Sequence, residues 1–262
     1  MQPFRELYLL YHELRPDNSP YTYALQTTEF ENQVDLFAQL QRDGSTTLRP
    51  QLTFDDGHIS NFEFALPILR SRGLAARFFI TVGWTGRKKG FMNWPHLKEL
   101  LQGGQQIGAH GWSHTLLTHC TEKQLVTELN TARLTLEDKL GVPITTMSLP
   151  GGRYNQRVLD ACWTAGYTHI FTSIPRAEPY PIGPILGRLN IRGDMSLEWI
   201  AKLFQPGNPF LIVLERQYRI KSAAKTLIGD RLYEKLWVIL NRKETDPNPE
   251  EAAASEDSTH HQ

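Results

Sequence analysis

Short apolar runs alternate with amphipathic stretches over most of the 262 residues, and few architectures accept that order. The runs at 7–11, 51–54, 75–82, 105–109, 146–149, 169–172 and 210–214 are too short for buried helices and carry few polar interruptions, which predicts strands covered on both faces. Between them the apolar spacing predicts helices over 29–40, 61–72, 94–101, 156–165 and 197–204, and a long one from Thr121 to the stop at Gly141. Their ends carry the expected signals. Thr28 and Asn93 stand at cap positions, Thr121-Glu122-Lys123-Gln124 reads as a capping box, and Gly44, Gly73, Gly141 and Gly166 read as stops. A strand-helix alternation of this kind implies a parallel sheet, and the length suits one α/β barrel or two smaller domains.

Lys plus Arg and Asp plus Glu both number 28, so no global charge advertises a nucleic acid or another polyanion as partner. Cys120 and Cys162 are too few for a disulfide framework and lack zinc-knuckle spacing, and they read as buried thiols. No run approaches the roughly 20 apolar residues that span a bilayer. The run at 7–11 is too short for a signal-peptide core, so the expected location is cytoplasmic. A further helix is predicted over 220–241. Beyond Lys243 the chain holds acids but no Lys or Arg, and 244–262 reads as a disordered acidic tail. The domain reading is therefore a barrel over 1–215, a C-terminal helical extension over 216–243 and that tail. The oligomeric state is left open.

The residues with chemical potential fall at the carboxyl ends of predicted strands, the face on which an α/β barrel builds its site. Thr53-Phe54-Asp55-Asp56-Gly57 ends one of them. Asp-Asp-Gly alone is an ordinary strand-end turn, and two histidines four apart arise by chance among nine. Together they offer more. His110 and His114, spaced for one side of a helical turn, supply two imidazoles, and Asp56 supplies an oxygen. Three protein ligands leave open positions on a divalent ion, which is the catalytic rather than the structural type of site. Zinc suits the mixed nitrogen and oxygen set, and other transition metals are compatible. Asp55, alternate to Asp56, is placed to accept the proton of an attacking water. The turn Pro150-Gly151-Gly152 permits close backbone approach, so an amide there can face a developing oxyanion, or the glycines serve the turn alone.

These residues resemble the polysaccharide deacetylase family of carbohydrate esterases. Thr-Phe-Asp-Asp-Gly is similar to its first motif, with Asp55 as base and Asp56 as ligand. His-Gly-Trp-Ser-His is similar to its second, the paired ligands His110 and His114, and Ser-Leu-Pro-Gly-Gly-Arg-Tyr is similar to its third, which shapes one side of the groove. The resemblance covers roughly residues 7–175 and takes in Tyr11-His12-Glu13 and residues 91–97. It implies a metal-containing, distorted (β/α) barrel of about seven parallel strands in a single domain. Gly151, Gly152, Arg153, Tyr154 and Trp112 become candidates for oxyanion and substrate contacts, with Trp84 and Trp94 as further sugar-stacking candidates.

Three departures accompany the likeness. Ser148 stands where many members place an arginine that supports the base, no Asp near 171–175 matches the one that holds a catalytic histidine, and Glu215 replaces a late histidine after the run at 210–214. A subgroup acting on poly-N-acetylglucosamine carries its acid on the first strand, and His12 resembles that histidine, with Glu13 beside it to orient the ring or keep it protonated. The implied activity is metal-dependent removal of N-acetyl groups from a sugar, polysaccharide or glycoconjugate. O-acetyl ester cleavage, hydrolysis of a small non-sugar amide, and a non-catalytic sugar-binding barrel are the alternatives. The implied partner is carbohydrate, with neither nucleic acid nor a transmembrane segment.

Overall fold

The structure, a computed structural model, describes residues 4–44 and 46–228. Strand β1 (Arg5–Tyr11) leads through a small parallel pair, β2 (Glu13–Arg15) with β3 (Ala24–Gln26), into helix α1 (Thr27–Asp43). Then come β4 (Leu48–Phe54), a π-helical turn at Asn61–Ala65 running into α2 (Leu66–Ser71), β5 (Ala76–Ile80), α3 (Trp94–Gln102) and β6 (Gln106–Ala109). Next in the chain are α4 (Glu122–Leu125), a second π-helical turn at Val126–Thr131, and α5 (Ala132–Leu140), then β7 (Thr146–Ser148), α6 (Gln156–Thr164) and β8 (His169–Phe171). Three short strands follow, β9 (Glu178–Pro179), β10 (Ile185–Leu186) and β11 (Arg188–Asn190), then α7 (Leu197–Leu203) and α8 (Phe210–Ile228).

Eight of these strands form one parallel sheet in the order β10-β8-β7-β6-β5-β4-β1-β11, with β9 antiparallel to β1. Its two ends, β10 and β11, are separated in the chain by Gly187 alone, so the backbone itself spans the seam of a nearly closed barrel. A Cβ at Gly187 would lie 2.3 Å from the Ile174 carbonyl, and that closeness is why the seam takes glycine. Alternation along β1 sends Leu7, Leu9 and Tyr11 outward, where Tyr11 donates its hydroxyl to Gln33 of α1 at 2.7 Å. Tyr8 points inward, its ring 5.2 Å from Phe171, which lies 4.9 Å from Phe79. The three rings come from strands that are not neighbours in the sheet, so they meet across the barrel and fill it.

The expected α/β barrel is what forms, with eight parallel strands where about seven were read, and the caps at Asn93 and Thr121 are made as anticipated. Three readings are corrected. Residues 210–214 are the start of α8 and not a strand: Phe210, Leu211 and Leu214 pack inward while Ile212 and Val213 are exposed, a helical and not a two-residue period. Thr28 lies inside α1, which starts straight from β3 with no side-chain cap. The long helix after Thr121 is broken by the π turn, whose Leu129 carbonyl accepts a hydrogen bond from the Tyr167 hydroxyl at 2.9 Å. Most of the helix read over 220–241, and all of the tail at 244–262, lie outside the described residues. Cys120 and Cys162 are both buried free thiols, as read.

Candidate metal centre and catalytic rim

The two aspartates leave β4 in different directions. Asp55 continues the ladder, donating its N–H to the Tyr11 carbonyl at 3.0 Å, and its side chain turns into the barrel, where it is 3% exposed. Asp56 departs from the strand with φ of 72°, and Gly57 follows at 86°, where a Cβ would stand 3.3 Å from the Ile80 side chain. His110 comes straight off β6, with its N–H donated to the Ile80 carbonyl at 2.8 Å. The four-residue spacing to His114 is met by a loop and not by the helical turn the spacing suggested, because Gly111 (φ 77°) and His114 (φ 65°) both take left-handed backbone. Asp56 and His114 are the two non-glycine residues with positive φ among those described, and such geometry costs of order 1–3 kcal/mol each. Strain of that kind marks positions held for a purpose.

Both histidines aim Nε2 at one carboxylate oxygen. Asp56 Oδ1 lies 3.3 Å from each, and the three side chains offer ligand atoms within 4.8 Å of one another. His110 Nδ1 is 2.9 Å from the Ser148 carbonyl, an oxygen that can only accept, so Nδ1 carries a proton and, in the neutral ring, the Nε2 lone pair faces the cluster. Asp56 Oδ1 is buried with no aligned hydrogen-bond donor. An orphaned carboxylate oxygen beside two imidazole nitrogens fits a cation. Burial would raise the Asp56 carboxyl, but His110, His12 and His114 outweigh it and hold its pKa well below the usual range. Burial, reinforced by His110, lowers His114 and so favours the neutral, ligating ring, whereas at His110 the two aspartates overcome burial and raise it.

At Asp55, the candidate base, the structure shows a partner that the sequence reading missed. The sequence offered Ser148 in place of the supporting arginine, and that support looked lost. Arg188 supplies it from seam strand β11, two places along the sheet from β4, donating Nη1 to Asp55 Oδ1 at 2.7 Å and Nη2 to Oδ2 at 2.9 Å. The same Nη2 donates to Ser148 Oγ at 2.7 Å, and Ser148 in turn donates to Asp55 Oδ2 at 2.8 Å. Nε donates to the Thr172 carbonyl at 3.1 Å. The guanidinium is fully buried and lies over the Phe79 and Phe171 rings, 5.3 and 5.8 Å from their centroids. Burial alone would raise Asp55, and Arg188 with His110 more than reverses it, so the carboxyl stays below its ordinary pKa and is ionised near neutrality. Arg188 went unnoticed because β10 and β11 are two and three residues long and show no periodicity. The one available signal was an arginine directly after a lone glycine in an otherwise apolar stretch.

His12, one residue beyond β1, lies within the electrostatic reach of Asp55 and Asp56, although burial outweighs them and lowers its pKa. Its Nδ1 is buried without a partner. Glu13 does not orient it: that carboxylate pairs with Arg15 at 2.6 Å and lies 3.7 Å from His58 Nε2, because side chains alternate and Glu13 faces away from His12. Glu215 is no substitute for the late histidine either, since it sits on α8 and pairs with Arg219 at 2.7 Å. In the glycine turn Gly151 and Gly152 have φ of 63° and 67°, but the Gly152 N–H is already donated to the Leu149 carbonyl at 2.8 Å, so an oxyanion donor there must be another amide. Tyr154 is exposed on the rim beside Arg153. Trp112 and Trp94 are half-buried against the core, and Trp84 is occupied, with Lys88 Nζ 3.7 Å over its ring and His114 5.2 Å away.

A nearly closed parallel barrel thus gathers two carboxylates, two imidazoles and a buried arginine near its carboxyl rim, a set of groups suited to hydrolytic chemistry. Residues 49–170, just under half of the chain, match the family model for polysaccharide deacetylase, and this likeness supports a hydrolase acting on amide bonds. YxkH of Bacillus subtilis, named for polysaccharide deacetylase, is 28% identical over 207 residues, covering 72% of each chain. The peptidoglycan-N-acetylglucosamine deacetylase PgdA of Listeria monocytogenes is 29% identical over 116 residues, 44% of this chain and 24% of that protein. Among solved structures, the Streptococcus pyogenes deacetylase PplD superposes with a TM-score of 0.68 at 21% identity, over 78% of this chain and 100% of that one. IcaB from Ammonifex degensii gives 0.64 at 24%, over 76% and 97%, and both likenesses are of fold.

Proposed function

We propose that this protein removes the acetyl group from N-acetylhexosamine units of an oligo- or polysaccharide, with a divalent cation, zinc by preference, held by Asp56, His110 and His114. The observation that carries the reading is Asp56 Oδ1, buried, without an aligned donor, and 3.3 Å from two imidazole nitrogens. The names of relatives point the same way: PgdA is named for peptidoglycan N-acetylglucosamine, and a Cryptococcus neoformans relative, 29% identical over 45% of this chain, is a chitin deacetylase.

A cation in this site supplies Lewis acidity toward the acyl oxygen and toward water. Asp55 accepts a proton from the attacking water, ionised and aimed by its two hydrogen bonds from Arg188. The water oxygen adds to the acyl carbon. The carbon–nitrogen bond then breaks, acetate forms, and the departing nitrogen must be protonated because an amide anion is too poor a leaving group. His12 is the assigned donor, as in the subgroup that its Tyr-His segment resembles: among the described residues it is the histidine, apart from the two proposed ligands, that lies within electrostatic reach of both Asp55 and Asp56. Tyr154, exposed beside the turn, is the aromatic best placed to meet a sugar.

Acetate release from a panel of chitooligosaccharides tests this. Turnover should disappear on chelation and return with added zinc. Release that is insensitive to a chelator, or no release from any N-acetylated sugar by metal-loaded protein, contradicts the proposal.

A further inference from the structure

The three residues between the two histidines are left without a role by the chemistry above. Gly111-Trp112-Ser113 forms the loop that carries His114, and its backbone is gripped from two sides. The carbonyls of Gly111 and Trp112 accept the N–H groups of Val82 and Gly83 at 3.1 and 2.8 Å. From the other side Glu128, on the π-helical turn, accepts the N–H groups of Trp112 and Ser113 on Oε2 at 2.8 and 3.0 Å, and the Ser113 hydroxyl on Oε1 at 2.6 Å. Glu128 is 5% exposed and shares the inward face of its helix with Leu125, Leu129 and Ala132. Gly111 is fitted to it: a Cβ there would stand 2.9 Å from Glu128 Oε2.

We infer that Glu128 is a positioning residue for the metal site, holding His114 in its left-handed backbone so that the ring meets Asp56. The inference rests on the reading that Asp56, His110 and His114 bind a cation. His110 needs no such help, since the sheet fixes its backbone and Ser148 its ring. His114 lies four residues further along a loop with φ of 65°, and nothing in β6 determines where it points. A buried carboxylate that accepts three hydrogen bonds from the intervening residues does. Gly111 and Ser113 of the motif are thereby explained as partners of Glu128 and not of substrate.

The test is zinc affinity, measured by competition with a chromophoric chelator at a temperature where circular dichroism shows every variant folded. Glu128→Leu leaves the loop's donors without acceptors and should weaken zinc binding about 10- to 100-fold, the range for residues that orient a ligand through one contact. Glu128→Gln should stay within about threefold of the parent, because its amide oxygen can accept both N–H groups and its NH₂ can donate to Ser113 Oγ. Should the leucine variant not fold, Ser113→Ala removes one of the three bonds and should cost about 3- to 10-fold. Folded Glu128→Leu, or Ser113→Ala in its stead, binding zinc within twofold of the parent overturns the inference. So does Glu128→Gln binding as weakly as Glu128→Leu, which would make charge and not hydrogen bonding the operative property. His114→Ala binding zinc like the parent would show that the site itself is elsewhere, and this inference would fall with it.

Discussion

At the scale of single residues, Asp55, the proposed base, and Arg188 form a buried ion pair inside the barrel. Asp55 and Arg188 are each almost wholly removed from water, so the pair has value only with its hydrogen bonds complete, and Thr172 and Ser148 complete them. Removing one partner leaves an uncompensated buried charge. Arg188→Leu is therefore expected to cost about 3–5 kcal/mol in unfolding free energy, measured by denaturant titration. It should also act on the pH profile. Asp55 is held below its ordinary pKa by Arg188, so its charged form contributes stability above the unfolded carboxylate value, near 4, and loses it as pH falls through the lower folded value. Without Arg188 the Asp55 pKa rises, and the acidic limb of the activity profile should move to higher pH. An unmoved limb would detach Arg188 from the base.

At the scale of elements, what was legible followed the spacing of the elements. Helices with caps at Asn93 and Thr121 could be read from periodicity and end signals, and strands set singly between helices, including β7 and β8 of three residues each, from the strand-helix alternation. The seam strands could not, because β9, β10 and β11 crowd between β8 and α7 with no helix to separate them, and with them went Arg188. Asp55, Asp56, His110 and His114 were readable because each sits at or just past the end of a long enough strand; Glu128 was not, since an acidic residue on an amphipathic helix looks like its solvated face. The neighbour of β1 is where this matters for chemistry. β1 pairs in parallel with β11, Leu10 beside Asn190, so His12 leaves the barrel next to the strand that brings in Arg188. His12→Ala should lower turnover on an N-acetyl amide by about 100-fold or more and cost less on an activated acetyl ester, whose leaving group needs no proton. Equal losses on the two substrates would make His12 structural.

For the whole molecule, closure of the barrel brings the site together. Asp55 from the end of β4, Ser148 from β7 and Arg188 from β11 come from strands that are not neighbours, and they meet only because the sheet curls until its ends are joined by Gly187. Gly187→Ala places a methyl against the Ile174 carbonyl and the Arg176 side chain, and overpacking of that kind should cost about 1–3 kcal/mol of stability, seen as a lower unfolding midpoint. No described helix is long and apolar enough to cross a membrane. The proposed chemistry depends on a division of labour between two adjacent carboxylates, one binding metal and the other moving a proton. The measurement that reaches this division is metal content and acetate release determined on the same preparation of Asp55→Asn. The expected result is a full complement of bound zinc with turnover on chitooligosaccharide lowered by at least about 1,000-fold. Turnover within about tenfold of the parent, or loss of the metal along with the activity, would contradict it.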